Sequence, residues 1–313
     1  LIAGLLGSFL PLLGALPKAI AVLCLRAMNL LTLSAAKTPG GLVSLGQPDA
    51  LFLLGFCGLC AALLLYRPKQ RAWRLRLVMA GVALCFASPA VDAMLASQRL
   101  EVVFLDVGQG DAIYLRQGQR RMLIDGGARM RWPDGQGGEV SLDYGKRVVL
   151  PFLRREGVKR LDAVVVSHGD SDHCGGLLAV LENVDVGLLI TGPDLEEEME
   201  EGAFNPYGEL LTAAEEREIP RAQLLAGDAF DLGKGRMVAL WPEAAEKSSN
   251  ENSLVLRLDY GKSVSLFTGD AGLSSEEVYA KHLDGVDLFK VSHHGSKGAT
   301  GEWLLSRAQP RIS

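Results

Sequence analysis

The chain has 313 residues, enough for about two domains, and its 48% hydrophobic and 22% charged composition excludes a disordered protein. The net charge of −5 joins two unlike parts: residues 1–96 hold eight Lys and Arg against two Asp, and residues 97–313 hold 24 against 35 acids. Five cysteines, Cys24, Cys57, Cys60, Cys85 and Cys174, four of them inside apolar runs, exclude a disulfide scaffold.

In chain order, residues 1–16 are apolar and broken at Pro11, and 19–36 are apolar apart from Arg26 and Asn29. With Leu1 first and no charged leader ahead of a cleavage site, these read as the tail of a larger helical bundle in a longer protein. Residues 51–66 and 77–91 are uncharged and strongly apolar, somewhat short of the roughly 20 residues of a membrane helix. Between them stands RPKQRAWRLR (67–76). Short loops rich in Lys and Arg stay cytoplasmic, so the pair reads as a membrane hairpin with its turn inside and everything after residue 96 outside. Two buried helices of a soluble protein are the alternative. Cys57-x-x-Cys60 sits in an apolar helix with no charged neighbour to lower a thiol pKa, so packing is its expected role.

From residue 100 short β-branched runs closed by Gly, Asp and Asn predict strands at 101–107, 111–116, 121–125, 162–167, 186–190, 237–241, 253–259, 263–268 and 286–292. Helices are expected at 145–156, 175–183, 207–218 and 274–283, which makes the domain mixed α/β. Residues 128–143 read as an irregular loop overhanging the site. Asp194–Glu201, six acids in eight residues, reads as a solvated face.

Three predicted strands run into potential metal ligands: His168-Gly-Asp170-Ser-Asp172-His173, Thr268-Gly-Asp270 and His293-His294-Gly-Ser296. Four of the five histidines lie at two strand ends, and the fifth, His282, reads as a surface residue. A turn leaving a strand can point residues 168 and 170 into one pocket and 172 and 173 into the next, with a carboxylate at 270 bridging two cations. Imidazole and carboxylate suit borderline or hard divalent metals, and a metal pair supports phosphoester hydrolysis. The competing readings are a polar turn capping a helix near residue 175, a loop histidine pair, and a tight Gly-Asp turn.

These motifs resemble the metallo-β-lactamase superfamily, and FLDVGQGDAIYL (104–115), MLIDGG (122–127), the 148–177 segment, NSLVLRLDYG (252–261) and LFKVSHHGS (288–296) resemble the C-terminal domain of the ComEC competence family. The resemblance runs in order over residues 100–313, and the apolar front is similar to the end of the competence membrane domain. It implies a four-layer αββα sandwich preceded by transmembrane helices, in two parts: residues 1–96, the end of a channel domain, and residues 97–313, a metallo-β-lactamase-like domain truncated before a further strand pair. It implies a multi-pass protein of the inner membrane with this domain on the periplasmic face. The implied activity is metal-dependent degradation of the DNA strand not taken up in natural transformation. The implied partners are single- or double-stranded DNA, the membrane, other DNA-uptake proteins and a homo-oligomer.

Carried over by position, His168 and Asp170 are first-metal ligands, Asp172 and His173 second-metal ligands, Asp270 the bridge, and His293 the remaining second-metal ligand, with His294 its alternate. Asp125 resembles the family Asp that supports the site by orienting a ligand histidine. Asp170 or Asp172 would orient the attacking hydroxide or take its proton, and Ser296, Lys297 and Thr300 could touch phosphate. Two departures stand out: Asp170 where many members have His, and Ser249-Asn250-Glu251-Asn252 where a further ligand His is expected. Oxygen in place of nitrogen favours Mn²⁺, with Mg²⁺ and Zn²⁺ as alternatives, and one ion or two. Two other function classes stay open: a non-catalytic channel module with a degenerate site, and a hydrolase of a small phosphodiester, lactam or thioester.

Overall fold

Apolar runs in the first ninety residues form three helices in the computed structural model, which describes residues 11–37, 48–64, 71–133, 139–194 and 204–313. Pro11–Lys37 (α1) belongs to a unit spanning residues 1–45, and everything from residue 46 onward belongs to a second. Ala50–Leu64 (α2) and Arg71–Ala96 (α3) pack as a pair. Their closest approach is at two glycines: a Cβ on Gly55 would stand 2.7 Å from the Gly81 carbonyl oxygen, the small-residue contact typical of helices packed in lipid. Among the described residues one helix, α3, is long and apolar enough to cross a membrane, and α2 is a shorter apolar helix. Their outward faces carry Leu64 at 83% and Phe86 at 81% exposure.

Of the basic segment expected as a turn at 67–76, Arg71–Arg76 belong to α3. Arg74 Nε donates to the Ala62 carbonyl at 2.8 Å, so one cation satisfies the last turn of the preceding helix. Arg67 and Lys69 lie outside the described residues. The end of α3 is tied to residues 116–118 by the Arg116–Asp92 ion pair (2.6 Å) and by Gly118 N–H donating to Ala96 O (3.0 Å).

Beyond α3 the chain builds two sheets. Leu100–Phe104 (β1), Ile113–Gln117 (β2), Arg120–Ile124 (β3), Ala163–Val165 (β7), Leu189–Thr191 (β9) and Arg221–Gln223 (β10) form the first in that order, antiparallel up to β3 and parallel from β3 onward. Ala229–Leu232 (β11), Gly235–Trp241 (β12), Val255–Tyr260 (β13), Ser263–Phe267 (β14) and Leu288–Lys290 (β15) form the second, with only β14 and β15 parallel. Arg160–Leu161 (β6) and Asp185–Val186 (β8) pair separately.

Alternation along the strands sorts side chains into layers. Ile113, Leu115, Met122, Ile124 and Val165 meet Met237, Ala239, Leu256, Leu258 and Phe267 between the sheets. On the outer face of the first sheet, Tyr114, Leu123 and Val164 are covered by Leu150–Arg155 (α4), Leu177–Asn183 (α6) and Pro206–Glu216 (α7) through Phe152, Leu153, Leu177, Val180 and Leu210. On the outer face of the second, Val255, Leu266 and Phe289 are covered by Leu273–Tyr279 (α8) and Glu302–Ala308 (α9) through Tyr279, Leu304 and Ala308. This is the αββα order that the resemblance implies.

Residues 128–143 are not a plain loop: Arg129–Pro133 (β4) pairs antiparallel with Glu139–Asp143 (β5). Met130, Arg131 and Trp132 are all exposed, so no apolar face alternates and the period-2 signal is lost. Gly135–Gly138 and most of the acidic run 194–201 lie outside the described residues. A single turn, Ser171–Cys174 (α5), follows β7.

Candidate metal centre

Parallel strands send their C-terminal ends to one edge, and the polar loops after β3, β7, β14 and β15 meet there with the β1–β2 loop. From the β1–β2 loop comes Asp111; from the loop after β3, Asp125; from that after β7, Ser167 to His173; from those after β14 and β15, Asp270, His293 and His294. Two glycines make the meeting possible. Gly110 has φ 117° and a Cβ there would stand 2.1 Å from Asp172 O; Gly269, at φ 51°, has Ser253 and Ser167 side chains at 3.0 and 3.1 Å from its would-be Cβ. Three non-glycine residues, Asp125, His293 and His294, also hold positive φ (58°, 47° and 50°), a strained conformation that clusters at functional sites.

Asp111, His173, Asp270 and His294 each offer a ligand atom, and these atoms lie within 4.8 Å of one another. His173 Nε2 is 3.2 Å from Asp270 Oδ1 and 3.3 Å from His294 Nε2. Asp172 Oδ2 is 3.5 Å from His294 Nε2, and His293 Nε2 is 3.7 Å from Asp270 Oδ2. His168 Nε2 faces Asp170 Oδ2 at 3.6 Å, and the His168 and His173 ring centroids are 4.1 Å apart. The structure thus brings together His168, Asp170, Asp172, His173, Asp270, His293 and His294. Of the histidine pair it is His294 that joins the group of four. Ser296 and Lys297 are exposed on the turn beyond it, Thr300 is half-buried, and His282 is exposed on another helix turn.

Asp125 is buried beneath this group. Ser167 N–H donates to its Oδ1 (2.8 Å), Ser167 Oγ–H to its Oδ2 (2.7 Å), and His173 Nδ1 lies 2.9 Å from the same Oδ2. A carboxylate only accepts, so His173 carries a proton on Nδ1. With its hydroxyl proton given to Asp125, Ser167 Oγ accepts from His168 Nδ1 at 3.0 Å. Both imidazoles therefore turn Nε2 into the cluster. His168 Nε2 is buried with no hydrogen-bond partner, an acceptor that a cation would satisfy, and Asp270 Oδ1 is buried with only His173 Nε2 (3.2 Å) and Lys290 Nζ (3.6 Å) near it. The donor set, the tautomers and the orphaned imidazole nitrogen fit a divalent ion.

The electrostatics agree. Burial opposes charge on His173, yet Asp125 and Asp270 outweigh it and push its pKa up to about 10. Burial likewise raises Asp125 and Asp270, but His173 and Ser167 at the first, and His173 and Lys290 at the second, hold both carboxyls below the ordinary range. Contact with His168 lowers Asp170, and contact with His294 lowers Asp172. The carboxylates of Asp125 and Asp270 that raise His173 would also attract a cation to its Nε2.

Three residues of this centre are absent from the sequence expectations. Asp111 closes the GQGD motif but carried no histidine beside it to mark a ligand. Ser167 is one position before the ligand run. Lys290 is buried at the end of β15; its Nζ contacts Asp111 Oδ2, donates to Gly269 O (2.7 Å) and lies 3.6 Å from Asp270 Oδ1. A charge inside the apolar run LFKV was the available signal.

Residues 105–313 match the metallo-beta-lactamase superfamily. ComE operon protein 3 of Bacillus subtilis (strain 168) is 30% identical over 220 residues, covering 68% of this chain and 28% of that protein. Recombination protein 2 of Haemophilus influenzae is 30% identical over 233 residues, 74% of this chain and 26% of that protein. Competence protein ComA of Neisseria gonorrhoeae is 29% identical over 315 residues, 99% of this chain and 39% of that protein. The chain spans about a quarter to two fifths of the length of these relatives, and they bear out the ComEC-family resemblance.

Proposed function

We propose, from the premise that the chain belongs to the metallo-beta-lactamase superfamily, that residues 97–313 are a divalent-metal phosphodiesterase acting on DNA during uptake, and that residues 1–96 end a membrane channel domain. The observation that carries this reading is the convergence of Asp111, His173, Asp270 and His294, with His168 Nε2 orphaned beside them. The competence relatives supply the substrate class, and the apolar α2–α3 pair, with its outward leucines and phenylalanines, supports an inner-membrane location. The excess of Lys and Arg in residues 67–76 supports placing the catalytic domain on the outer face.

Asp111, His173, Asp270 and His294 would hold a divalent ion such as Mn²⁺, with His168, Asp170 and Asp172 adjoining, and the bound ion would supply a nucleophile at neutral pH and charge stabilisation for the phosphoryl oxygens. The chain's own groups do the rest. Asp125 and Ser167 fix both ligand imidazoles with Nε2 inward. Asp172, partly exposed beside His294, would orient the attacking water and take its proton, and Asp170 would do the same beside His168. Lys290 offsets part of the charge of Asp111 and Asp270 and keeps the two carboxylates in reach of each other.

The test compares metal content and cleavage of a labelled single strand in Mn²⁺ for the parent chain, Asp172→Ala and His173→Ala. The reading expects bound metal and cleavage in the parent, loss of metal in His173→Ala, and at least a hundredfold loss of rate in Asp172→Ala. A parent that holds metal and leaves DNA intact, with both variants indistinguishable from it, removes the nuclease reading.

A further inference from the structure

Next to the cluster lies a cavity of about 400 Å³, within the range that encloses a small molecule. His168, Gly169 and Asp170 line it on the metal side, and Tyr207 and Phe204 supply its aromatic wall. The Tyr207 ring packs directly beside residue 169, where a Cβ would stand in ordinary contact, 3.4 Å from Tyr207 Cγ. The ring is held by its hydroxyl, which donates to Asp194 Oδ1 at 2.9 Å, and Arg221 pairs with the same carboxylate. At the mouth, Phe204 is 37% exposed, with the guanidinium carbons of Arg131 and Arg129 5.0 and 5.1 Å from its ring centroid. Ser171, between Asp170 and Asp172, donates through Oγ to Arg129 O, which couples the strand bearing both arginines to the ligand loop.

We propose that this cavity receives one unstacked nucleobase of a single-stranded DNA substrate, with Tyr207 and Phe204 as its stacking surfaces and Arg131 contacting the adjoining phosphate. The inference rests on the phosphodiesterase reading and names its substrate form. Charge decides what enters. Asp170 lines the cavity, and the other carboxylate on its wall, Asp194, is already paired with Arg221, so an anionic phosphate meets negative charge at Asp170 and a neutral base meets no such penalty. Net positive charge stands at the rim, where Arg131, 42% exposed, and Arg129 share the single carboxylate of Glu209 and a sugar-phosphate backbone would pass. Stacking decides the strandedness: a base in a duplex is covered on both faces and cannot meet an aromatic wall without leaving its stack. Stacking tolerates any sequence because every base has a π-face. It also supplies affinity that does not depend on phosphate contacts, which suits a domain with 24 Lys and Arg against 35 acids.

The experiment measures equilibrium binding by fluorescence anisotropy with Mn²⁺ present. The probes are a phosphorothioate oligothymidylate, which resists hydrolysis, the same strand carrying abasic residues, and its duplex with oligoadenylate. The inference expects the parent chain to bind the intact strand about 5- to 150-fold more tightly than the abasic one, the span that base–aromatic stacking supplies, and more tightly than the duplex. Phe204→Ala, at an exposed position, brings intact and abasic strands to within about twofold, Phe204→Trp restores the preference, and the salt dependence stays shallow, with a log–log slope of about −0.7 per phosphate contacted. Equal binding of intact and abasic strands by the parent chain, no binding of either, or an undiminished preference in Phe204→Ala overturns the inference. Cleavage of unmodified DNA is scored separately. Preference without cleavage supports the pocket and removes the phosphodiesterase reading; cleavage without preference does the reverse.

Discussion

Replacing Asp125 by Asn removes one charge and one acceptor from the base of the centre and leaves every candidate ligand in place. Asp125 is 1% exposed, and its two oxygens take hydrogen bonds from Ser167 N–H, Ser167 Oγ–H and His173 Nδ1–H. Asn has one carbonyl oxygen for these donors and presents an NH₂ to the rest, so either the Ser167 amide or the His173 ring faces a donor. Loss of an orienting partner of a ligand histidine costs roughly 10- to 100-fold in metal affinity, about 1.4 to 2.8 kcal/mol. The unpaired buried group costs the fold about 1–3 kcal/mol. Calorimetric titration of Mn²⁺ reads the first quantity and thermal melting of the metal-free chain the second. A variant that folds and binds Mn²⁺ as tightly as the parent would refute the claim that Asp125 sets the His173 tautomer for metal binding.

Further outcomes are expected from the same geometry. The folded pKa of His173 is raised from 6.5 to about 10; its proton therefore stabilises the metal-free fold fully below pH 6.5, and that contribution is lost as pH rises through 10. A cation at Nε2 must expel that proton, so metal affinity should rise by about one log unit per pH unit through the neutral and mildly alkaline range, and a flat profile by calorimetry would contradict the assignment. Lys290→Met leaves Asp111 and Asp270 without their ammonium, and should destabilise the metal-free chain by roughly 3–5 kcal/mol while Mn²⁺ raises its melting temperature more than it raises the parent's; unchanged melting curves would count against the buried pair. Gly110→Ala forces a Cβ to 2.1 Å from Asp172 O at φ 117°; about 1–3 kcal/mol of backbone strain and as much again of overpacking are expected in the melt. A single cysteine placed within 194–201, in a chain whose five native cysteines are replaced, should react with a membrane-impermeant maleimide from the outer side, and labelling only after permeabilisation would reverse the proposed topology.

The ligand run 168–173 was legible because two histidines and two aspartates crowd into six residues after an apolar strand, and Asp270 and the 293–294 pair because each ends a strand of the same kind. The layers were legible for a related reason: runs such as Met122-Leu-Ile124 and Leu254-Val-Leu256 are apolar at consecutive positions and buried, as strands covered on both faces must be. Asp111 was not, since no histidine stands beside it, and the charge of Lys290 inside the apolar run LFKV gains its meaning only when residues 111 and 290 close onto one sheet edge. Hairpin β4–β5 escaped because Arg129-Met-Arg-Trp132 is exposed along most of its length and carries charge where a half-buried strand alternates. Arg71–Arg76 carry charge that suits a loop, and their place in α3 depends on the contact of Arg74 with the Ala62 carbonyl, which the sequence does not display.

The central claim is that residues from four loops hold one divalent ion between Asp111, His173, Asp270 and His294. Anomalous diffraction at the manganese edge, from crystals of the chain grown with Mn²⁺, tests it most directly. The account predicts a peak in contact with those four side chains, with His168 Nε2 and Asp172 at its border. No peak at saturating Mn²⁺, or a peak elsewhere on the acidic surface, contradicts it.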